Sequence, residues 1–255
     1  MDRAGREKES YDEGKVWQVN DAWHRRFSHV FQCPNTLRHE RLSEEILREN
    51  VRGKDVLEIG CGDGENAARI SAMGSAFVYG IDVSPAVVFK AREREIPGRI
   101  EFAVADAREE VPRRFDVIFG QSAIHHIAYR EILPTLYLKT LKPGGLMLFV
   151  EPLGSSLLIR AYWRLARGAH TADETPLLRA DLSWFRETFE DFEYIPFNYA
   201  SFYMGIVSSK IFRRPDNLLL KACDRVDGFI ARRVRFLRPG FRRAILLVRK
   251  PLDRS

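Results

Sequence analysis

Short apolar runs alternate along this chain with segments whose apolar residues recur every three or four positions. The runs Val56–Ile59, Ala76–Val83, Ile100–Ala107, Phe115–Gln121 and Leu146–Glu151 read as five strands. Asn35–Glu49 precedes the first, with a helical stripe of Leu37, Leu42, Ile46 and Leu47, and Glu65–Met73 is helical after it. Ser84-Pro85 opens the next helix, an N-cap residue followed by Pro at the first helical position. Further on, Asp181–Phe189 predicts a crossover helix, Glu193–Phe202 a sixth strand and Arg243–Lys250 a seventh. Strands and helices alternating at this spacing predict parallel strands with right-handed crossovers, an α/β doubly wound sheet.

The chemistry gathers behind the first strand, in Glu58-Ile59-Gly60-Cys61-Gly62-Asp63-Gly64. Three glycines at alternating positions predict a tight loop running into a helix N-terminus, where backbone can approach a ligand closely. Compared with the dinucleotide fingerprint G-x-G-x-x-G, the third Gly comes one position early. A carboxylate at Glu58 would repel a pyrophosphate and favour a ligand bearing a cation. S-adenosylmethionine (SAM) meets that description, having an adenosine, no phosphate, an α-ammonium and a sulfonium. Asp82 ends the second strand eighteen residues past Gly64 (82 − 64), where an acid grips ribose hydroxyls in a Rossmann-like fold. Gly60, Gly62, Asp82, Asp106 and Gln121 all fall at strand carboxyl ends or just past them, where ligands bind in such sheets.

Glu58-Ile59-Gly60-Cys61-Gly62-Asp63-Gly64 resembles the first motif of the class I SAM-dependent methyltransferases, small-molecule type. Asp82, Asp106, the fourth strand and Leu141-Lys142-Pro143-Gly144-Gly145 follow in the family's order, and the likeness runs from Asn35 to Glu151. It implies a seven-stranded, mostly parallel sheet with an antiparallel last strand, a helical N-terminal lid over residues 1–34, and a catalytic domain over 35–255. Substrate-side inserts are expected at about 152–180 and 203–240, the second helical through Leu218, Leu220, Cys223, Val226 and Ile230. The resemblance implies SAM as cofactor and S-adenosylhomocysteine as product, held by Glu58, Gly60, Cys61, Gly62, Asp82, Val83, Asp106, Ala107 and Gln121. Glu58 would lie near the ammonium through the loop, and Asp106 against the adenine amino group.

After the fourth strand come His125 and His126, beside the expected position of the transferred methyl group. An imidazole titrating near neutrality suits a general base for a hydroxyl acceptor, and His24 and Tyr11 of the lid are reserves. The alternative is that the pair opens a helix and contacts the methionine portion of SAM. Gln121-Ser122-Ala123-Ile124 lacks the Asn/Asp-Pro-Pro-aromatic motif of amino-methylating nucleic-acid enzymes, and the chain has no Pro-Cys nucleophile pair. DNA is therefore not expected as a substrate. Inserts and lid crowding one sheet edge predict a roofed pocket for a small or medium-sized acceptor, such as a hydroxyl of a specialised metabolite.

Composition changes this picture in two places. Three widely spaced cysteines without a C-x-x-C, and no apolar leader or membrane-spanning run, predict a protein of a reducing, cytoplasmic compartment. Charge is uneven. From Ser201 onward fourteen Lys or Arg face four Asp, a local 14 − 4 = +10 against a total of +6. Such a tail could touch an anionic membrane surface through its arginines, dipping in Phe229, Ile230, Phe236 and Leu237, or be a solvated helix face. A lipid- or quinone-modifying enzyme and a SAM-binding protein without catalysis are the rival readings. His170, Asp173 and Glu174 share one loop, but no second cluster completes a metal shell, so no metal is expected. Oligomeric state is not legible.

Overall fold

The computed structural model describes Gly5 and residues 27–111, 113–156, 159–160 and 175–252. Seven strands form one sheet in the order β3-β2-β1-β4-β5-β7-β6. They are β1 (Asp55–Ile59), β2 (Phe77–Asp82), β3 (Ile100–Val104), β4 (Phe115–Gln121), β5 (Leu141–Pro152), β6 (Asp191–Phe197) and β7 (Arg243–Arg249). β1 to β5 pair in parallel, and β7 runs antiparallel between β5 and β6. This is the expected mostly parallel sheet with an antiparallel last strand.

Helices cover both faces, which is why the central strands are apolar on both sides. One face stacks α1 (Pro34–Val51), α2 (Glu65–Ala72) and α3 (Pro85–Ala91) on Val56, Val78, Val117 and Leu148. The other stacks α4 (Tyr129–Thr135) and α5 (Arg179–Thr188) on Leu57, Ile118, Met147 and Phe149. Ser84 caps α3 through its hydroxyl, which accepts the Val87 N–H at 3.4 Å, and Pro85 follows as expected.

Three boundaries differ from expectation by three or more residues. β3 stops at Val104 rather than Ala107, because the chain leaves the ladder to make the Asp106–Arg108 turn. β5 starts five residues early, at Leu141: Leu141 pairs with Phe115, and the Lys-Pro-Gly-Gly turn is absorbed as an irregularity before Leu146 meets Val117. β6 ends at Phe197 rather than Phe202. Asn198 adopts a left-handed φ of 62°, and its amide enters a buried network with Asn35, Thr36 and Ser201. Asp227 then accepts the N–H groups of Tyr199, Ala200 and Ser201, so a helix begins where a strand was predicted.

The insert before β7 is thus two helices, α6 (Ala200–Ile211) and α7 (Leu218–Arg233). Both pack on the N-terminal segment. Gly205 lies so close to the turn Ser28–Phe31 that an added Cβ would sit 2.9 Å from the His29 carbonyl. Asn35 and Arg38 of α1 both donate to Asp224 of α7. Among the described residues, no helix is long and apolar enough to cross a membrane.

Candidate active site

The loop after β1 sits where the sheet order reverses, between β2 on one side of β1 and β4 on the other. Gly60 and Cys61 donate their N–H groups to the Ile81 carbonyl at 2.9 and 3.0 Å, fastening the loop to β2. Gly60 has φ +67°, and a Cβ there would lie 2.9 Å from that of Ala123 in the loop after β4. Glycine at this position lets two ligand-edge loops meet. Gly64 enters α2 with φ +81° and no room beside Phe102.

Asp82 closes the constellation. Its carboxylate accepts the Gly62 N–H at 3.1 Å and the Ser84 N–H at 3.0 Å, joining the glycine loop to the end of β2. Burial raises its pKa, opposed by those backbone hydrogen bonds and by the nearby His126 ring. Val83 beside it is half-buried, and Cys61 is buried with its thiol pushed up by burial.

Glu58 lies one strand turn below, fully buried on the face that carries α2. Neither carboxyl oxygen makes a hydrogen bond of ordinary geometry, although Asn66 and the Ala67 N–H are near enough to favour the charged form. Burial dominates and lifts its pKa to about 8, helped by the charge of Asp82. This corrects the expectation of a charged guard beside the loop. In the protein alone the acid keeps its proton near neutrality, because desolvation outweighs those weak contacts. Two adjoining acids, both pushed towards neutrality, suit a ligand that brings positive charge, so the residues fit SAM on that ground.

Asp106 is held differently. Arg108 grips it from Nε at 3.1 Å and from an Nη at 2.7 Å, and the Arg108 N–H adds 2.9 Å. A group approaching that carboxylate must share it. Ala107 is buried beside it, while Gln121 ends β4 in solvent.

His125 and His126 lie in a 3-10 turn, Ile124–His126, their rings 4.1 Å apart and tilted by 45°. His126 faces Asp82 electrostatically. His125 is buried, with Nδ1 2.5 Å from Glu151 Oε2, while Glu151 Oε1 accepts the N–H groups of Ala123 and Ile124. With Glu151 ionised the shared hydrogen sits on Nδ1, and in the neutral ring Nε2 is then the acceptor nitrogen. Ser122, just before, has φ +53°, and Arg243 bridges its hydroxyl and the Val150 carbonyl. Glu151 and Arg243 are missing from the residues expected of the site. The signal for Glu151 was an acid closing an apolar strand at the ligand edge, like Asp82; nothing in the sequence marked Arg243, since β7 is distant in the chain.

Tyr11 and His24, with all of the lid before Phe27 except Gly5, lie outside the described residues, as do His170, Asp173 and Glu174. Among the described residues, no group of three or more His, Cys, Asp or Glu is placed to hold a metal ion.

Residues 56–145 match a methyltransferase domain. Over 114 residues the chain is 33% identical to 27-O-demethylrifamycin SV methyltransferase of Amycolatopsis mediterranei, covering 42% of this chain and 40% of that protein. Over 104 residues it is 40% identical to phosphoethanolamine N-methyltransferase 1 of Triticum aestivum, covering 39% of this chain and 21% of that one. The chain thus spans less than half the length of either relative. Magnesium protoporphyrin IX methyltransferase from Synechocystis PCC 6803, solved with bound S-adenosylhomocysteine, superposes with a TM-score of 0.57 at 13% identity, covering 98% of this chain and 100% of that one. The sheet order, the glycine loop and the matched region agree: residues 56–145 match a methyltransferase domain, and the sheet has the Rossmann-like fold of the class I SAM-dependent methyltransferases.

Proposed function

We propose that the chain binds SAM across the glycine loop and transfers its methyl group to a small or medium-sized acceptor, with a hydroxyl as the preferred nucleophile. The observation that carries this reading is the Asp82 bridge from β2 to the Gly62 N–H, set beside the buried Glu58. Gly60, Cys61 and Gly62 would admit the methionine portion, with Glu58 ionising as it meets the ammonium. Asp82 and Val83 would take the ribose; Asp106, Ala107 and Gln121 would frame the adenine. Bound there, SAM supplies an electrophilic methyl on a sulfonium. The chain's part is to orient the acceptor, exclude water and remove a proton. His125, oriented by Glu151, would accept that proton at Nε2, with His126 on the cofactor side and His24 and Tyr11 as lid reserves. One relative is named for an O-demethyl substrate and another for N-methylation. The built His125–Glu151 pair favours the hydroxyl, since a neutral amine needs no base.

Calorimetry with S-adenosylhomocysteine, NAD and ATP tests the cofactor assignment. Binding of S-adenosylhomocysteine alone is expected; tight NAD or ATP binding without it would overturn the reading. Incubation with SAM and a metabolite extract, read by mass spectrometry for S-adenosylhomocysteine and a product heavier by one methylene, tests transfer.

A second reading, contact with an anionic membrane, rests on the α6–α7 corner. There Ile211 is 66% and Leu218 83% exposed beside Lys210, Arg213 and Arg214. Phe229 and Phe236 are also exposed, whereas Ile230 and Leu237 are half-buried. Sedimentation with anionic vesicles, lost on charge reversal of Arg213 and Arg214, would support it.

A further inference from the structure

Tyr194 lies in β6, the outermost strand, and two guanidinium groups sit over its ring. Arg238 is 4.6 Å and Arg186 5.4 Å from the ring centroid. Arg238 also donates to the Tyr194 carbonyl at 2.6 Å, while its Nε is buried without a hydrogen-bond partner. Arg179, Arg235 and Phe236 extend the lining of a groove of about 480 Å³ between α5, β6 and the turn Arg235–Gly240.

Among the described residues, four guanidinium groups line this groove and no carboxylate does. Of the acids around it, Asp181 accepts from Arg130 and from the Leu178 N–H, and Asp191 and Glu193 pair with Arg249. Glu187 and Glu190 do not line it. Like charges gathered in one concavity repel, and a multiply charged anion relieves that repulsion. A planar guanidinium presents paired N–H donors that match phosphoryl oxygens, and several can share one group. A carboxylate, with two oxygens and one charge, would leave most of these donors unused.

We propose that this groove binds a phosphoryl group, borne either on a soluble phosphate ester or on a lipid headgroup. It is separate from the glycine loop, since β6 stands four strand spacings from β1, about 19 Å. The proposal therefore does not depend on the methyl-transfer reading.

Titration of the full chain with pyrophosphate at low ionic strength tests the soluble source. Sedimentation with phosphatidylcholine vesicles, with and without phosphatidylglycerol, tests the headgroup. The Arg186→Gln/Arg235→Gln variant removes two exposed groove cations, and the control Arg41→Gln/Arg48→Gln removes two exposed cations from α1. Circular dichroism confirms folding of both. The groove pair should weaken one of the two probes by about tenfold or more, with the α1 pair changing it less than twofold. Loss of pyrophosphate binding identifies a soluble ester, and loss of vesicle binding alone a headgroup. Absence of binding by either probe, or equal loss in both variants, overturns the proposal.

Discussion

Glu151 Oε2 lies 2.5 Å from Nδ1 of His125, with both side chains buried, and the other oxygen of the same carboxyl takes two backbone N–H groups. One acid at the end of β5 thereby fixes both the loop after β4 and the ring within it. Glu151→Ala would leave three buried donors unmatched and should destabilise the fold by about 3 kcal/mol. Urea unfolding measures this, and a loss below about 1 kcal/mol would show that the loop holds without Glu151. Nitrogen NMR of the imidazole adds a readout that a purely structural role would not move. The hydrogen on Nδ1 in the native protein should be redistributed in Glu151→Gln.

Glu58 makes stability depend on pH. Its folded pKa of about 8 is above the unfolded value of 4.5, so the fold holds a proton the unfolded chain releases. That contribution is complete below pH 4.5 and is lost as pH rises through about 8. Unfolding free energy should therefore fall between pH 5 and 8 in the native protein, by up to a few kcal/mol, and Glu58→Gln should flatten that slope. Parallel profiles for the two proteins would contradict the burial argument.

Asp82→Ala removes the acceptor for the Gly62 and Ser84 N–H groups together with the proposed ribose contact. S-adenosylhomocysteine affinity should fall by about 1–3 kcal/mol in calorimetry. Unchanged affinity would put the ribose elsewhere.

Gly60→Ala combines a left-handed backbone with a Cβ 2.9 Å from that of Ala123. The strain costs about 1–2 kcal/mol before any relief of the contact. The melting temperature should drop by several degrees, and cofactor affinity with it, as the two loops separate. Gly53→Ala is the comparison: φ is +68° there, but nothing stands within 4 Å of the added carbon. A loss no larger at Gly60 than at Gly53 would show that the approach of the loops is unimportant.

The parallel half of the fold was legible because each of β1 to β4 is an apolar run with an acid, a glycine or an amide at or just past its end on the ligand edge. Their order alone placed Gly60, Asp82 and Gln121 together. What escaped were features set by contacts distant in sequence. Asn198 breaks β6 because Asn35 and Thr36 are waiting for its amide, and Asp227 starts α6 from 26 to 28 residues away. Glu58 was recognised as important but read as charged. Its protonation follows from complete burial, which no local pattern reveals.

The placement of β7 between β5 and β6 also governs the route to the native state. β6 precedes β7 in the chain, yet among the described strands its hydrogen-bonding neighbour is β7. Until β7 emerges and wedges in, β6 and the α6–α7 pair have no sheet to join, and β5 presents an open ladder. A nascent chain paused within the insert should therefore have an assembled β1–β5 nucleus with a protease-sensitive remainder. Substitutions in β7 should slow the final docking step more than the early collapse.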